Sequence, residues 1–228
     1  MKFLLLFVFL FSCSEKKSDY FPLKKIKSWT YSVEIIPEVE KKILYKKTNT
    51  SLGERKIKVE GKEKSVFPVV REDGTTFYYE ISNDGIYRKG VRYLKDKKIS
   101  FDKKRLVLPK PVKLDKKWSN DSKTFLILRR YPYYDYKATT NFEINYEITS
   151  VNQSIKTPYG TFNDCILVEG VGQTNFIGDS EIGSIGIKIK SQEWYSRKIG
   201  LVKMIREEAT DTDLFGTTRM IQLLEKYE

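Results

Sequence analysis

The sequence predicts a mainly β protein built around a single strongly curved antiparallel sheet, a half-barrel or an incomplete barrel. Short runs of alternating apolar and polar residues, rich in β-branched and aromatic side chains, are separated by turn signals. No segment predicts a long helix, since the most helix-like stretch, 35–45, is interrupted by Pro37. We expect about eleven to thirteen strands and few short helices, and so many strands must curl or close to bury one face.

The strands of the first half follow one another at short intervals. The runs that predict them cover 29–35, 57–60, 65–70, 75–81, 86–93, 99–101 and 106–108. Between two of these runs lies Ser82-Asn83-Asp84-Gly85, which predicts a tight hairpin turn because Asn, Asp and Gly tolerate the backbone angles that such turns need.

The second half contains the clearest strand of the chain. In 142–151, Phe142 and Ile144 begin an apolar face that alternates with Glu143 and Asn145. The other runs cover 124–128, 162–169, 182–190, 193–195, 201–206 and 220–224. Short connections between successive strands favour antiparallel pairing.

The N-terminus carries the pattern of an export signal. Lys2 is followed by the nine uncharged residues 3–11, then by Ser12 and Cys13. The apolar block is too short for a transmembrane helix, which needs about twenty residues. A cysteine at the cleavage point resembles the signal of bacterial lipoproteins, in which the cysteine sulfur is acylated, with palmitate as an expected acyl group.

That resemblance implies a domain organisation and a location. It implies a signal peptide at 1–12, a lipidated Cys13 with its tether at 13–20, and a single β domain at 21–228. Because Ser14 rather than Asp follows the cysteine, it also implies sorting to the outer membrane of the bacterial cell envelope. The alternative is a plain signal peptide with a coincidental cysteine at the cleavage point.

The residue inventory excludes several kinds of active site. The chain has no histidine, and if Cys13 carries lipid, Cys165 is the remaining thiol. A Ser-His-Asp triad, a Cys-His pair, a His-containing zinc site and an intrachain disulfide in the mature protein are therefore ruled out. Because Cys165 lies in an apolar strand, we expect it to be a core residue. We expect no enzymatic activity and no cofactor.

The net charge of +12 suggests an acidic partner, but its distribution favours a plainer interpretation. Anionic lipids, acidic glycans or nucleic acid could all meet a basic exported protein. No run of five basic residues occurs, and lysines flank most strands. We therefore expect a solvated basic surface that also protects sheet edges, and no nucleic-acid partner.

Two C-terminal segments form turn motifs. In the first, a turn begins at Pro158 and ends at Gly160 within Thr157-Pro158-Tyr159-Gly160-Thr161-Phe162. In the second, Trp194-Tyr195 is followed after a four-residue gap by Gly200-Leu201-Val202-Lys203. Here the chain resembles a large set of exported bacterial proteins and lipoproteins with the patterns T-P-x-G-T-F-x-x-C and W-Y-x-x-x-x-G-L-V-K.

The resemblance extends from about residue 67 to 206 and includes Leu108-Pro109 and Lys117-Trp118. It implies a curved sheet similar to the open barrels of the periplasmic lipoprotein carriers and their outer-membrane receptor, which hold acyl chains on the concave face. It implies no reaction, and its motif residues look like turn and packing determinants. The chain departs from those carriers in lacking a pattern for a covering helix.

An aromatic and basic segment is the candidate binding site. Its members are Arg129, Arg130, Tyr131, Tyr133, Tyr134 and Tyr136. Tyrosine rings beside arginine bind sugars, phosphates and protein partners well. The alternative is a long hairpin whose tyrosines pack over the edge of the sheet.

The glycine-rich stretch 172–186 resembles a phosphate-binding loop in composition. It lacks a following Lys-Ser/Thr and a strand-to-helix setting, so it predicts a hairpin loop instead.

Three functions are compatible with these patterns. The first is an envelope lipoprotein, not an enzyme, that binds a lipid or other amphipathic ligand in its curved sheet and meets the membrane through its N-terminal lipid. The second is a surface-exposed lipoprotein that serves in adhesion or binds a protein partner through the basic, tyrosine-rich loop. The third is a hydrolase with carboxylates among Asp135, Glu143 and Glu193, although no paired motif supports it.

Overall fold

The computed structural model describes residues 19–59, 62–130, 135–178 and 183–228. In these ranges the chain forms fifteen strands and no helix. The first eight are β1 (Ile26–Pro37), β2 (Ile43–Leu52), β3 (Arg55–Val59), β4 (Lys62–Arg71), β5 (Thr76–Ile81), β6 (Gly85–Arg92), β7 (Ser100–Pro109) and β8 (Lys117–Lys123). The others are β9 (Leu128–Arg130), β10 (Asp135–Lys137), β11 (Asn141–Lys156), β12 (Thr161–Ile177), β13 (Ser184–Ser196), β14 (Gly200–Thr210) and β15 (Thr217–Tyr227).

Thirteen of these strands form one antiparallel sheet, and the predicted fold class is confirmed. The order is β7-β6-β5-β4-β2-β1-β15-β14-β13-β12-β11-β8, with β3 attached to β4 outside this path. β9 and β10 form a separate hairpin. The sheet is curved and is not closed into a barrel.

The two ends of the sheet, β7 and β8, are joined by side chains instead of a backbone ladder. The Asn120 side-chain amide donates to the Leu106 carbonyl at 2.8 Å, and its oxygen accepts from the Leu106 backbone amide at 3.0 Å. Trp118 Nε1 donates to the same carbonyl at 3.2 Å. One asparagine side chain thus takes the place of a paired strand residue at this seam.

The alternation in the sequence accounts for the packing of the central strands. In β11, Phe142, Ile144, Tyr146 and Ile148 are buried while Glu143 and Asn145 are exposed, as predicted. The neighbouring β12 is buried on both faces, so Ile166 and Cys165 belong to different apolar clusters. Cys165 is fully buried, as predicted.

The predicted hairpin turns are present. Ser82 N donates to Gly85 O at 2.9 Å, and Thr157 N donates to Gly160 O at 2.9 Å. β13 and β14 pair at Ser196 and Gly200, and Gly200 has a φ of +95°, a backbone conformation that favours glycine.

Some boundaries differ from the sequence prediction. Residues 100–101 and 106–108 lie in one strand, β7, and residues 184–190 and 193–195 both lie in β13. The polar strand β8 was not predicted, because its sequence KWSNDSK has no run of apolar or β-branched residues.

A strand predicted at 124–128 is wrong for 124–127, which have no regular secondary structure. A buried carboxylate satisfies the backbone there instead of a neighbouring strand. Glu208 Oε2 accepts from Phe125 N at 3.1 Å and from Leu126 N at 3.0 Å. Arg206 Nη2 donates to Lys123 O at 3.0 Å, and the same guanidinium forms a buried ion pair with Glu208.

The segment before β1 lies within the curve of the sheet. Tyr20 and Leu23 are buried, and Phe21 packs against both Tyr79 of β5 at 5.4 Å and Tyr195 of β13 at 6.3 Å between ring centroids. Five strands separate β5 from β13 in the sheet order. One ring can touch both because the sheet curves round it.

Candidate functional site: a basic cavity

A cavity of about 340 Å³ lies beside Phe21, between β4–β7 on one side and β1, β14 and β15 on the other. We call it the basic cavity. Its polar lining residues are Lys47, Arg71, Arg88, Arg105, Asn49, Gln222, Tyr31, Tyr79 and Tyr195. Its apolar lining includes Phe21, Leu23, Trp29, Val69, Phe77, Val107, Leu201 and Met204. Among its described lining residues there are four cationic side chains and no carboxylate.

Strand register brings three of the polar side chains into one row. Tyr79 on β5 lies directly opposite Arg88 on β6, and Arg88 lies directly opposite Arg105 on β7. Directly opposed residues on neighbouring strands project from the same face of a sheet. β-Bulges at Tyr78/Tyr79 and at Arg88/Gly90 set this register.

Arg71 is the last residue of β4 and lies directly opposite Asn49 on β2. Its guanidinium carbon lies 5.9 Å from the Phe77 ring centroid, and that of Arg88 lies 5.3 Å from the same centroid. Arg71 Nε is buried and has no hydrogen-bond partner among the described residues, and the same is true of Asn49 Oδ1. Two lining residues of the cavity therefore carry a buried polar atom that the described protein groups leave unsatisfied.

Lys47 projects from β2 and donates to Gln222 Oε1 at 3.1 Å. Burial, and after it the positive charge of Arg71, lower the pKa of the Lys47 ammonium from its ordinary value to about 8. Glu72, Glu193 and Asp73 oppose this change in pKa. A cation beside a second cation in a partly desolvated site is stabilised by an anion placed between them.

The tyrosines of the cavity are neutral hydroxyl groups at ordinary pH. Burial raises the pKa of Tyr31, Tyr79 and Tyr195, and the carboxylate of Glu193 raises the pKa of Tyr195 further. Tyr195 donates its hydroxyl proton to Glu193, and Tyr31 donates to the Leu201 carbonyl at 3.0 Å. Glu193 thus accepts a hydrogen bond from a tyrosine hydroxyl at the edge of the cavity.

A larger groove of about 940 Å³ crosses β8 and β11–β15. Its charged lining side chains are Lys117, Lys190, Arg219, Glu147, Glu169 and Glu207, three of each sign. Lys117 and Glu147 neutralise one another at 3.5 Å. Balanced charge gives this groove no preference for an anion or a cation, so the smaller basic cavity is the better candidate site.

Most of the residues predicted to bind lie outside what the structure describes. Cys13, Tyr131, Tyr133 and Tyr134 fall outside the described residues. Arg129 and Arg130 belong to the backbone of β9, but their side chains lie outside the description. The binding role of this segment and the lipidation of Cys13 stay predictions.

Tyr136 is the described side chain of that segment, and it is half-buried. Its ring lies 6.0 Å from that of Phe176 and 5.7 Å from that of Phe215 between centroids. It packs at the edge of the main apolar cluster and does not line the basic cavity.

The sequence patterns do not predict the cations of the basic cavity, because charged residues in strands are expected to face solvent. Arg71 continues the alternation of Phe67 and Val69, and Arg105 precedes Val107 in the same alternation. An arginine at an inward position of a strand was the signal that could have identified the site.

The described ranges contain no apolar helix of the length needed to cross a membrane. They also contain no group of three or more His, Cys, Asp or Glu side chains arranged to hold a metal ion.

No family model matches the sequence, and no curated protein matches it. Among solved structures, the chain is similar to a "putative lipoprotein" from Parabacteroides distasonis. The two share 14% identity, with 92% of this chain and 99% of the other covered, and a TM-score of 0.42. A similarity of this degree assigns no function.

Proposed function

We propose that this chain is a lipid-anchored protein of the bacterial cell envelope that binds an amphipathic ligand in the basic cavity and catalyses no reaction. The anchor is the acylated Cys13, and the outer membrane is the proposed location. The ligand is proposed to be a lipid or a related amphiphile, with no role for nucleic acid.

The observation that carries this proposal is the composition of the basic cavity. Apolar side chains such as Phe21, Val69 and Val107 share it with polar groups that include unsatisfied buried atoms. A pocket of a few hundred Å³, lined by apolar residues with a few placed polar groups, is the usual form of a small-molecule site. At about 340 Å³ the cavity suits a ligand with one hydrocarbon chain.

Native mass spectrometry of the full-length protein, released from membranes, tests ligand binding. We expect a bound amphiphile on the wild type that is lost in Val107→Phe, because the larger ring fills the cavity. Val171→Phe is the matched control, since Val171 is 57% exposed and does not line the basic cavity. Equal occupancy in both variants, or an absence of bound amphiphile from wild type, would contradict the proposal.

Growth with a palmitate analogue that can be labelled tests the anchor. We expect label and membrane association in wild type and neither in Cys13→Ser. Labelling that persists in the variant would overturn the assignment of the anchor to Cys13.

A further inference from the structure

We infer that the ligand of the basic cavity carries an anionic head, a carboxylate or a phosphate, held by Arg71, Arg88 and Lys47 around Phe77. The inference rests on the proposed function, because it specifies the chemistry of a ligand in the same cavity. Three independent features of the described residues carry it.

The first feature is the charge of the lining. Lys47, Arg71, Arg88 and Arg105 line a cavity to which no described carboxylate contributes. Charges removed from water need a partner of opposite sign to remain ionised at low cost. Glu72, Glu193 and Asp73 act on Lys47 from outside the lining of the cavity, and they do not restore its pKa to the ordinary value.

The second feature is the direct opposition of two cations. Arg88 and Arg105 face one another across β6 and β7, an arrangement that destabilises a sheet when the charges are alike. Arg105 donates to the Asp121 carbonyl at 3.1 Å on the far side of the β7–β8 seam. This bond fixes the position of Arg105, so that Arg88 and Arg105 both place positive charge on the same face of the sheet.

The third feature is the unsatisfied donor. Arg71 Nε is buried with no partner among the described residues, whereas buried polar groups in folded proteins are nearly always hydrogen-bonded. A carboxylate or phosphate group accepts two parallel hydrogen bonds from a guanidinium, one on each of two oxygens, which a neutral hydroxyl cannot do.

The position of Phe77 locates the head. The guanidinium groups of Arg71 and Arg88 lie on the same ring, at 5.9 Å and 5.3 Å from its centroid. Stacking on an aromatic ring orients the planar guanidinium groups and directs their N–H edges away from the ring face. The hydrocarbon chain of the ligand then packs among Phe21, Val69 and Val107.

Calorimetric titration of the full-length protein in amphipol, with amphipol alone as the blank, tests this inference. The probes share one chain and differ in the head: dodecanoate, dodecyl phosphate and neutral monododecanoyl glycerol. We expect both anionic probes to bind at least tenfold more tightly than the neutral one, with the difference decreasing as salt screens the charges. Inorganic phosphate alone should bind weakly, because it lacks the chain.

The variant Arg71→Met tests how the head of the ligand contributes to binding, independently of its hydrocarbon chain. We expect it to reduce the preference for the anionic probes over the neutral probe, because Arg88 and Lys47 remain, and to leave binding of the neutral probe unchanged. Arg92→Met is the matched control, since Arg92 is an exposed residue at the end of β6 and does not line the cavity.

The outcomes distinguish the two proposals. Equal affinity of wild type for anionic and neutral probes would overturn the anionic head and leave the proposed function in place. Failure of every amphiphile to bind would overturn both. The comparison of probes uses wild type, so it decides the question even if Arg71→Met does not fold.

Discussion

The buried ion pair between Arg206 and Glu208 gives the sharpest test of how the curved sheet is held together. Glu208 is fully buried, and the Arg206 side chain is 4% exposed. The Glu208 carboxylate accepts from Arg206 Nε at 2.9 Å and Nη2 at 2.8 Å, and from the backbone amides of Phe125 and Leu126. The substitution Glu208→Gln keeps the size of the side chain and removes its charge.

The magnitude follows from what the substitution leaves behind. Arg206 becomes a buried cation without a counter-charge, and the amide NH₂ of the new Gln faces groups that are all donors. Breaking one side of a buried pair costs about 3–5 kcal/mol. For a domain of this length we therefore expect the midpoint of thermal unfolding to fall by about 6–20 °C.

Urea unfolding followed by tryptophan fluorescence measures the free energy, and the chain has three tryptophans to report it. Glu63→Gln is the control, because Glu63 forms an exposed pair with Lys56 and its loss should cost at most about 1 kcal/mol. Combining Glu208→Gln with Arg206→Met should recover part of the loss, since no uncompensated charge remains. A cost for Glu208→Gln no larger than for Glu63→Gln would refute the reasoning.

Three further predictions concern other parts of the sheet. Asn120→Ala should lower the free energy of unfolding by about 1–3 kcal/mol in urea titration and speed amide exchange at Leu106, because the seam loses both of its asparagine bonds; an effect no larger than that of exposed Ser119→Ala would contradict the role of the seam. Burial raises the pKa of the Cys165 thiol to about 12, so it should resist maleimide at pH 7 in the native protein and react after unfolding, whereas rapid native labelling would show that it is accessible. The pKa of Lys47 is about 8 in the folded protein against an ordinary value of 10.5, so between these values the unfolded chain binds more protons and stability rises with pH. Lys47→Met should remove that part of the rise in urea titrations across this range, and identical pH profiles for wild type and variant would contradict the assignment.

The sequence predicts most of the fold because apolar alternation is strong where a strand has one buried face. The alternation of β11, Phe142 against Glu143, predicts both the strand and the buried face. It fails for β8, whose polar residues are held by pairing with β11 and by the contacts of Asn120 with Leu106. It also fails at 124–127, where Glu208, more than eighty residues away in the chain, supplies the hydrogen bonds.

The candidate site is harder to predict because bulges decide which residues share a face. Arg88 and Tyr79 come together through register shifts at Tyr78/Tyr79 and Arg88/Gly90. A shift of one residue moves a side chain to the other face of a sheet, and the sequence carries no separate mark for it. The curvature that brings β5 within reach of Phe21 and β13 is likewise a property of the whole sheet.

The chain holds the buried Arg206 and the half-buried Arg71 in two different ways, and the contrast separates structural from binding groups. Arg206 is satisfied by Glu208 and by the Lys123 carbonyl, so its charge is compensated within the fold. Arg71 has a buried nitrogen without a partner among the described residues and lies beside Lys47, a second cation. If the basic cavity served only to stabilise the sheet, an apolar residue at position 71 would do so at lower cost, because it would leave no buried donor unpaired. Arg71→Met should therefore leave stability unchanged or increase it while weakening the binding of an anionic amphiphile, and a loss of stability without a change in binding would assign Arg71 to the structure instead.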